Sequence, residues 1–283
     1  MSHHSTPAPA SLLEARYGKQ PPLNVALNAT FPAFNPTLET LLSHRSVRAF
    51  LETPLPPETL EWLIAAAQSA PSSCNLQMWS VVAVENRERK ARLADLAGKQ
   101  RHIKQAPLLL VFLADMAMLH ETAAAQKTPV DGMDYLDTFL MAAIDATLAA
   151  QNVATAAESL GFGTVYAGAL RNQPEEVIRE LNLPPHVFPV FGLCIGYPDP
   201  ERPAQIKPRL PQRAVLHREQ YSNSDTQQAI ADYDATMAAF YSSYRDADAT
   251  WSKQSLARLR EAESLAGRDR LREAILKQGI LLR

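Results

Sequence analysis

The sequence predicts a mixed α and β protein in which helices cover both faces of one sheet. Helical segments alternate along the chain with about four short apolar segments that are typical of strands. Two of these segments, Leu108–Ala114 and Phe188–Ile195, are apolar at nearly every position. Continuous apolarity predicts strands that are buried on both faces, and such strands need helices on each side of the sheet.

The first 36 residues differ in character from the rest of the chain. They contain six prolines and little periodicity, which predicts an irregular Pro-rich arm that is either disordered or wraps another surface. A single domain is expected to span residues 37–283. Thr37 is predicted to cap the first short helix of this domain, and Leu38, Leu41 and Leu42 form the apolar face of that helix.

The remaining elements follow from periodicity and from helix start signals. A helix is predicted from Pro57 to about Ala70, because proline is favoured in the first helical turn. The later elements are a strand at 79–84, a helix at 87–96, a strand at 108–114, an Ala-rich helix at about 134–160, a strand at 161–169, a helix at 174–181 and a strand at 188–195. From Tyr221 the pattern is helical and ends in a helical extension, Trp251–Gln278.

The Ala-rich helix is too polar at its centre to be a membrane span. Asp145, Gln151 and Asn152 would be costly in hydrocarbon, so we expect a buried or interface helix. Small side chains such as Ala146 and Ala150 occupy much of its circumference, which favours close approach of another helix. The alternative is a helix buried within one subunit.

Composition excludes several function classes. The 283 residues carry a net charge of -2, so we expect no nucleic-acid partner and no membrane partner. The sequence contains no HExxH or H-x-H pattern, and we expect no metal site. Two cysteines, Cys74 and Cys194, and the lack of a signal peptide after Met1 indicate a cytoplasmic protein.

Two basic clusters have the chemistry of a phosphate site. They are His44-Arg45-Ser46-Val47-Arg48 and Lys207-Pro208-Arg209, which offer charge-assisted hydrogen bonds to an anion. Each cluster alone is also consistent with a solvated basic patch. The two clusters bind one dianion only if they are close together, and the sequence does not show whether they are.

Three further segments are candidate ligand contacts, although each is also consistent with a simple connection. They are the polar loop Pro71–Gln77, the segment Gly98–His102 and the glycine-containing segment Gly161–Arg171. The last is not a Rossmann fingerprint, because its first glycines follow a helix and precede a strand. Gly161 is instead expected to end the helix. Cys74 lacks the partner signature of a catalytic thiol.

Taken together and in this order, these segments resemble the nitroreductase family. The closest likeness is to its NADPH-preferring branch of oxygen-insensitive nitroreductases and flavin reductases. The motifs are HRSVR at 44–48, PSSCNLQ at 71–77, GKQRH at 98–102, DATLAAQNVATAAESLGFGTVYAGALRN at 145–172, LPPHVFPVFGLCIGYP at 183–198 and KPRLP at 207–211. The N-terminal arm has no counterpart in the family.

The resemblance implies a fold and a cofactor. The fold would be α+β, with a mainly antiparallel sheet flanked by helices in an intertwined homodimer. FMN would bind tightly and noncovalently at the dimer interface. The FMN-binding residues would be His44, Arg45, Ser46, Arg48, Ser72, Ser73, Gln100, Tyr166, Gly168, Ala169, Lys207 and Arg209.

The resemblance also assigns roles to several of these residues. Lys207 and Arg209 would close on the phosphate, and Arg48 would stabilise the reduced flavin at its N1–C2 edge. Gly168 and Ala169 would approach the ring through their backbone. The NADPH phosphate would be bound by Arg101, Arg245 or Arg268.

The implied function is a ping-pong NAD(P)H oxidoreductase with NADPH preferred over NADH. Hydride would pass to flavin N5, and small-molecule acceptors such as nitroaromatics and quinones would then be reduced. Three alternatives remain open from the residues: an NADPH-dependent flavin reductase, a flavin carrier or sensor without turnover, and a phosphate- or nucleotide-sugar-binding enzyme that uses the same basic clusters.

Overall fold

The predicted strands form one antiparallel sheet in this computed structural model, which describes residues 9–18, 34–242 and 249–283. The strands are β1 (Trp79–Val84), β2 (Leu108–Asp115), β3 (Gly163–Ala167) and β4 (Val187–Gly196). Their order in the sheet is β1-β2-β4-β3, and each neighbouring pair is antiparallel. The prediction of a mainly antiparallel α+β fold is therefore confirmed.

Eleven α-helices accompany the sheet within the described residues. They are α1 (Pro9–Tyr17), α2 (Pro36–Ser43), α3 (Thr59–Gln68), α4 (Arg87–Leu96), α5 (Arg101–Gln105), α6 (Ala117–Gln126), α7 (Leu136–Ser159), α8 (Pro174–Leu181), α9 (Thr226–Ser242), α10 (Trp251–Arg258) and α11 (Leu271–Lys277). The chain divides into two units. The first unit is helical and combines Met1–Arg45 with Gln205–Ser264, and the second combines Ser46–Ala204 with Leu265–Arg283 and contains the sheet.

Strand β2 explains why helices cover both faces of the sheet. All eight of its residues are buried, as continuous apolarity predicted. Its odd-numbered residues Leu109, Val111 and Leu113 pack in one cluster with α4, α5 and α8. The even-numbered residues Leu108, Leu110 and Phe112 pack in a second cluster with α3 and α7. Successive side chains of a strand point to opposite faces, so β2 contributes to both cores.

Helix α7 turns its alanines towards its own sheet. Ala146, Ala149 and Ala150 are fully buried beside Leu110 and Phe112. The interpretation of this small-residue face as the surface for a partner helix was therefore wrong, because short side chains let α7 lie close to the sheet of its own subunit. The helix is long and apolar enough to span a membrane by composition. Its apolarity is explained in part by this buried face.

The N-terminal arm is more regular than its composition suggested. Pro9–Tyr17 forms α1, so the expectation of irregular structure does not hold for this stretch. Asn35, not Thr37, caps α2, because its side chain accepts the Leu38 N–H at 3.0 Å and Pro36 occupies the first turn. No α2 residue is buried, and Leu38 is 44% exposed, so α2 does not bury the predicted apolar face.

The C-terminal extension is several short helices. Between α10 and α11 the chain forms short 3-10 turns, so Trp251–Gln278 is not one long helix. The last residues pack on their own unit, where the Arg283 N–H donates to the Asp134 carbonyl at 2.9 Å. Ile280 is buried there.

Candidate active site

The first unit brings the two basic clusters together through one buried arginine. Arg16 of α1 is only 5% exposed. Its guanidinium donates to the carbonyls of Leu42 and His44, at 2.7 and 2.9 Å, and to the carbonyl of Lys207 at 3.1 Å. The ends of both clusters therefore lie within the span of a single guanidinium. The sequence left this proximity open, and the structure establishes it.

The Lys207-Pro208-Arg209 segment is also held from α9. The Tyr233 hydroxyl donates to the Pro208 carbonyl at 2.8 Å, and Lys207 Nζ donates to the Tyr241 hydroxyl at 3.4 Å. Burial raises the pKa of Tyr233, so this hydroxyl stays a proton donor. The Arg209 side chain is exposed. The backbone is thus fixed while cationic side chains face solvent, an arrangement that suits recognition of an anion.

We call the basic side chains of the two clusters in the first unit the cationic surface. Its second part comes from the turn after α2. Arg45 is exposed and His44 is half-buried. Together with Lys207 and Arg209 they give the first unit four basic side chains on two chain segments that Arg16 joins. Arg16 and Tyr233 were missed by sequence reasoning. The only sequence signal for Arg16 was its position as an arginine inside a Pro-rich arm. The residues near Arg16 in the sequence did not indicate its hydrogen-bond partners.

In the second unit, the segment after Arg45 lies along β3. The Val47 N–H donates to the Thr164 carbonyl at 2.9 Å, and Ser46 forms a bridge with Thr164. Gly163 allows this close approach, because a Cβ there would lie 2.6 Å from the Val47 side chain. Val47 is buried. The predicted residues Ser46 and Arg48 are therefore positioned by the sheet, on either side of a buried anchor.

Arg48 lies near a buried imidazole at the start of α5. Burial, with the Arg48 charge as a second cause, lowers the pKa of His102 to about 4. Within the described residues, His102 Nε2 is buried without a hydrogen-bond partner. The imidazole is therefore neutral at physiological pH, and it leaves the charge of Arg48 available for a ligand.

The polar loop 71–77 is fixed by a carboxylate that the sequence placed only as a polar residue of the long helix. Asp145 of α7 is 1% exposed. It accepts hydrogen bonds from the Ser72 hydroxyl at 2.7 Å and from the Ser73 N–H at 3.0 Å. The Ser72 oxygen also accepts the Gln77 N–H at 2.8 Å. Ser72 is thus engaged in holding the loop. The signal available in the sequence was a carboxylate in the otherwise mostly apolar middle of the Ala-rich helix.

This loop stores backbone strain. Cys74, Asn75 and Gln77 all have left-handed φ angles, of 50°, 55° and 51°. Such angles are unfavourable for residues with side chains and persist only where surrounding contacts impose them. Here the Asp145 anchor imposes them. Cys74 is exposed at the tip of the loop.

The turns that precede Arg101 and Arg268 pack on one asparagine. Gln100 is the residue before α5, and Arg101 is its exposed first residue. Both follow the turn at Gly98, where a Cβ would lie 3.7 Å from the Asn172 amide nitrogen. A Cβ on Gly267, which precedes Arg268, would lie 2.6 Å from the Asn172 backbone oxygen. Both turns therefore pack on Asn172, whose Oδ1 is buried without a partner in the described residues.

The end of β3 holds the last predicted residues. The Tyr166 hydroxyl donates to Gln151 of α7 at 3.3 Å, and burial raises the pKa of Tyr166. Gly168 and Ala169 begin a short 3-10 helix. A Cβ at Gly168 would lie 3.4 Å from the Arg171 guanidinium, so this side chain borders the space beside Gly168. Arg245 lies outside the described residues.

Family models match most of the chain. The nitroreductase family model matches residues 41–197, and the model of the family's C-terminal domain matches residues 207–283. This chain belongs to the nitroreductase family. The resemblance read from the sequence motifs is therefore confirmed, and the α+β architecture is the nitroreductase-like fold.

Individual family members are similar over nearly their whole length. The chain is 40% identical to the FMN reductase (NAD(P)H) of Bacillus subtilis, over 87% of this chain and 98% of that protein. It is 40% identical to the oxygen-insensitive NADPH nitroreductase of Salmonella typhimurium, over 73% and 83%. The structure of B. megaterium NfrA2 matches with a TM-score of 0.83 and 38% identity, over 88% and 100%.

Proposed function

We propose that this protein is an FMN-dependent NAD(P)H oxidoreductase that reduces small acceptors such as nitroaromatics and quinones. The observation that carries the proposal is the cationic surface of the first unit, in which Arg16 joins two basic segments. The relatives named as an FMN reductase and as an NADPH nitroreductase support the same activity.

The donor set fits the phosphate of FMN. His44, Arg45, Lys207 and Arg209 offer several cationic donors, which suits a phosphate monoester with two negative charges. When bound, FMN supplies hydride acceptance from NAD(P)H and electron donation to the acceptor. The protein's contribution is to bind the phosphate, to orient the cofactor and to set its electrostatic environment.

The family resemblance implies that residues of the second unit contact the flavin ring and ribityl chain. Arg48 is exposed beside a neutral His102, so its charge is available to stabilise an anionic reduced ring. Gln100 offers an amide, and Gly168 and Ala169 offer backbone. The tip of the 71–77 loop is exposed at Cys74 and Asn75, whereas the Ser72 hydroxyl is bonded to Asp145 and the Ser73 hydroxyl donates to Met141 Sδ at 3.3 Å.

The co-substrate is NADPH in preference to NADH. Arg101 and Arg268 support this proposal, because the turns that precede them both pack on Asn172. The 2′-phosphate of NADPH needs a dedicated cation. The two turns that pack on Asn172 each carry an arginine that can provide it. Arg245 remains a third candidate.

The active form is a homodimer. Four large apolar residues, spaced four apart along α7, are exposed: Leu136, Leu140, Ile144 and Leu148, at 46%, 47%, 55% and 38%. A continuous exposed apolar stripe of this kind marks an interaction surface. A second copy of the chain is its proposed occupant, since pairing two such stripes about a two-fold axis buries both.

The protein acts in the cytoplasm on soluble small molecules. Its two cysteines are free, which fits a reducing compartment. Two other activities use the same cofactor site: reduction of free flavin by NADPH, and flavin carriage without turnover. Rapid mixing of the flavin-loaded protein with NADPH separates them, because a carrier does not bleach its flavin quickly.

The proposal is tested by the flavin content of purified variants. We expect a yellow wild-type protein that NADPH bleaches. Arg45→Ala and Arg209→Ala should each weaken FMN binding by roughly 1.5–3 kcal/mol, the usual loss for a charge-assisted hydrogen bond. Arg213→Ala is the matched control, because Arg213 pairs with Asp232 in the same unit. Full flavin content in both test variants would contradict the phosphate assignment.

A further inference from the structure

Helix α1 lies outside both family models, which begin at residue 41 and at residue 207. It is nevertheless part of the first unit. Leu12 and Arg16 of α1 are buried, at 3% and 5% exposed. A helix that adds a buried arginine to the part of the chain that the family models match needs a physical explanation.

Among the described residues, the Arg16 guanidinium donates to backbone carbonyls at both basic clusters. Nη2 donates to the carbonyls of Leu42 and His44, and Nη1 donates to the carbonyl of Lys207. In addition, the Arg209 N–H donates to the Arg16 carbonyl at 2.8 Å. Arg16 therefore contacts the residue before Arg45 and both residues that flank Pro208.

These bonds fix the backbone positions from which the cationic side chains extend. Lys207 is 191 positions from Arg16 in the chain, and His44 is 28 positions away. A guanidinium is planar and presents its donors in a fixed fork, so it sets the distance between the carbonyls that it binds. Burial makes loss of this fork costly, because three carbonyls would lose a donor.

We infer that Arg16 is a positioning residue, which holds His44–Arg45 and Lys207–Arg209 at the spacing that a phosphate monoester requires. This inference rests on the proposed function, since it takes the phosphate of FMN as the ligand. Helix α1, which the family models do not match, then holds the two basic segments together. Arg16 acts through the backbone of the cationic residues and makes no contact with the cofactor.

The inference has a consequence that a purely structural role does not share. Riboflavin carries the same ring and ribityl chain as FMN but lacks the phosphate. If Arg16 positions phosphate-binding groups, its loss weakens FMN binding and leaves riboflavin binding unchanged. If Arg16 only supports folding, both ligands lose affinity together.

The experiment compares FMN and riboflavin dissociation constants, by fluorescence quenching, in the full-length apoprotein and its variants. Arg16→Met removes the fork but keeps packing volume, and Arg16→Lys keeps the charge. We expect FMN to bind about tenfold or more weakly to both variants, with riboflavin unchanged. Glu14→Gln, an exposed change on the same helix, should leave both constants at the wild-type value.

Each outcome separates the inference from the proposed function. A wild-type protein that does not prefer FMN to riboflavin refutes the proposed phosphate site itself. A wild-type preference that Arg209→Ala lowers and Arg16→Met retains overturns only the role of Arg16. A full FMN preference in Arg16→Lys shows that charge suffices and overturns positioning. If Arg16→Met binds neither flavin, Arg16→Lys decides the question.

Discussion

Asp145 shows how one residue controls a strained loop. Its buried carboxylate accepts two hydrogen bonds from Ser72 and Ser73, and the left-handed residues Cys74, Asn75 and Gln77 follow directly. Hydrogen bonds to a charged acceptor are stronger than hydrogen bonds between neutral groups. They therefore offset the free-energy cost of three unfavourable φ angles in the loop. The shape of the loop is therefore determined from α7.

Replacing the carboxylate should loosen the loop. Asp145→Asn keeps one acceptor but places an amide nitrogen opposite one of the two donors. We expect the free energy of unfolding to fall by about 1.5–3 kcal/mol, the range for hydrogen bonds to a charged group. Chemical denaturation measures this loss.

A matched control lies on the same helix. Asp137 is exposed in the first turn of α7, so Asp137→Asn should cost less than about 1 kcal/mol, through the helix dipole alone. Equal losses in the two variants would show that the Asp145 bonds do not hold the loop.

At the scale of the element, α7 has two apolar faces, one buried and one exposed. The alanine face is buried on the sheet, and the Leu136–Leu148 stripe is exposed. Close packing to β2 requires short side chains on one face. The stripe carries large exposed side chains, and we propose a second copy of the chain as its partner.

Glutamate substitutions on the two faces should therefore have different effects. Ile144→Glu should give a folded monomer, because the added charge prevents burial of the stripe. Ala146→Glu should prevent folding, because a buried unpaired charge costs several kcal/mol. Light scattering gives the oligomeric state, and circular dichroism gives the folded fraction.

The control for added charge is Thr122→Glu, at an exposed position on α6 outside the stripe. It should remain folded with the wild-type molecular mass. An Ile144→Glu protein that keeps the wild-type dimer mass would refute the stripe as the interface. A folded Ala146→Glu protein would contradict the burial of the alanine face.

At the scale of the whole molecule, we propose that co-substrate choice depends on turns that are far apart in sequence. Gly98 and Gly267 bring the Arg101 and Arg268 turns to Asn172. Arg101→Ala and Arg268→Ala should each lower the NADPH to NADH ratio of kcat/KM by about tenfold, since a phosphate loses a charge-assisted contact. Steady-state kinetics with both co-substrates measures the ratio.

Arg272→Ala is the control for this prediction, because Arg272 is an exposed residue of α11. It should leave the ratio unchanged. An unchanged ratio in Arg101→Ala and in Arg268→Ala would leave Arg245 as the candidate.

The sequence by itself determined the features that depend on neighbouring residues. Continuous apolarity identified β2 and β4 as buried strands, and the start signal at Pro174 placed α8. The order of the motifs identified the family. Residue chemistry alone marked the basic clusters as candidate anion sites, because cationic donors suit phosphate wherever they lie.

Only the tertiary structure decided which of these features meet. It turned the alanines of α7 onto their own sheet, made Pro9–Tyr17 a helix, and joined Lys207 to His44 through Arg16. Periodicity reports how residues are arranged within one element, but it carries no distance between elements. The Arg16 bonds cross 191 and 28 positions of the chain, and such separations are set by packing of the whole unit.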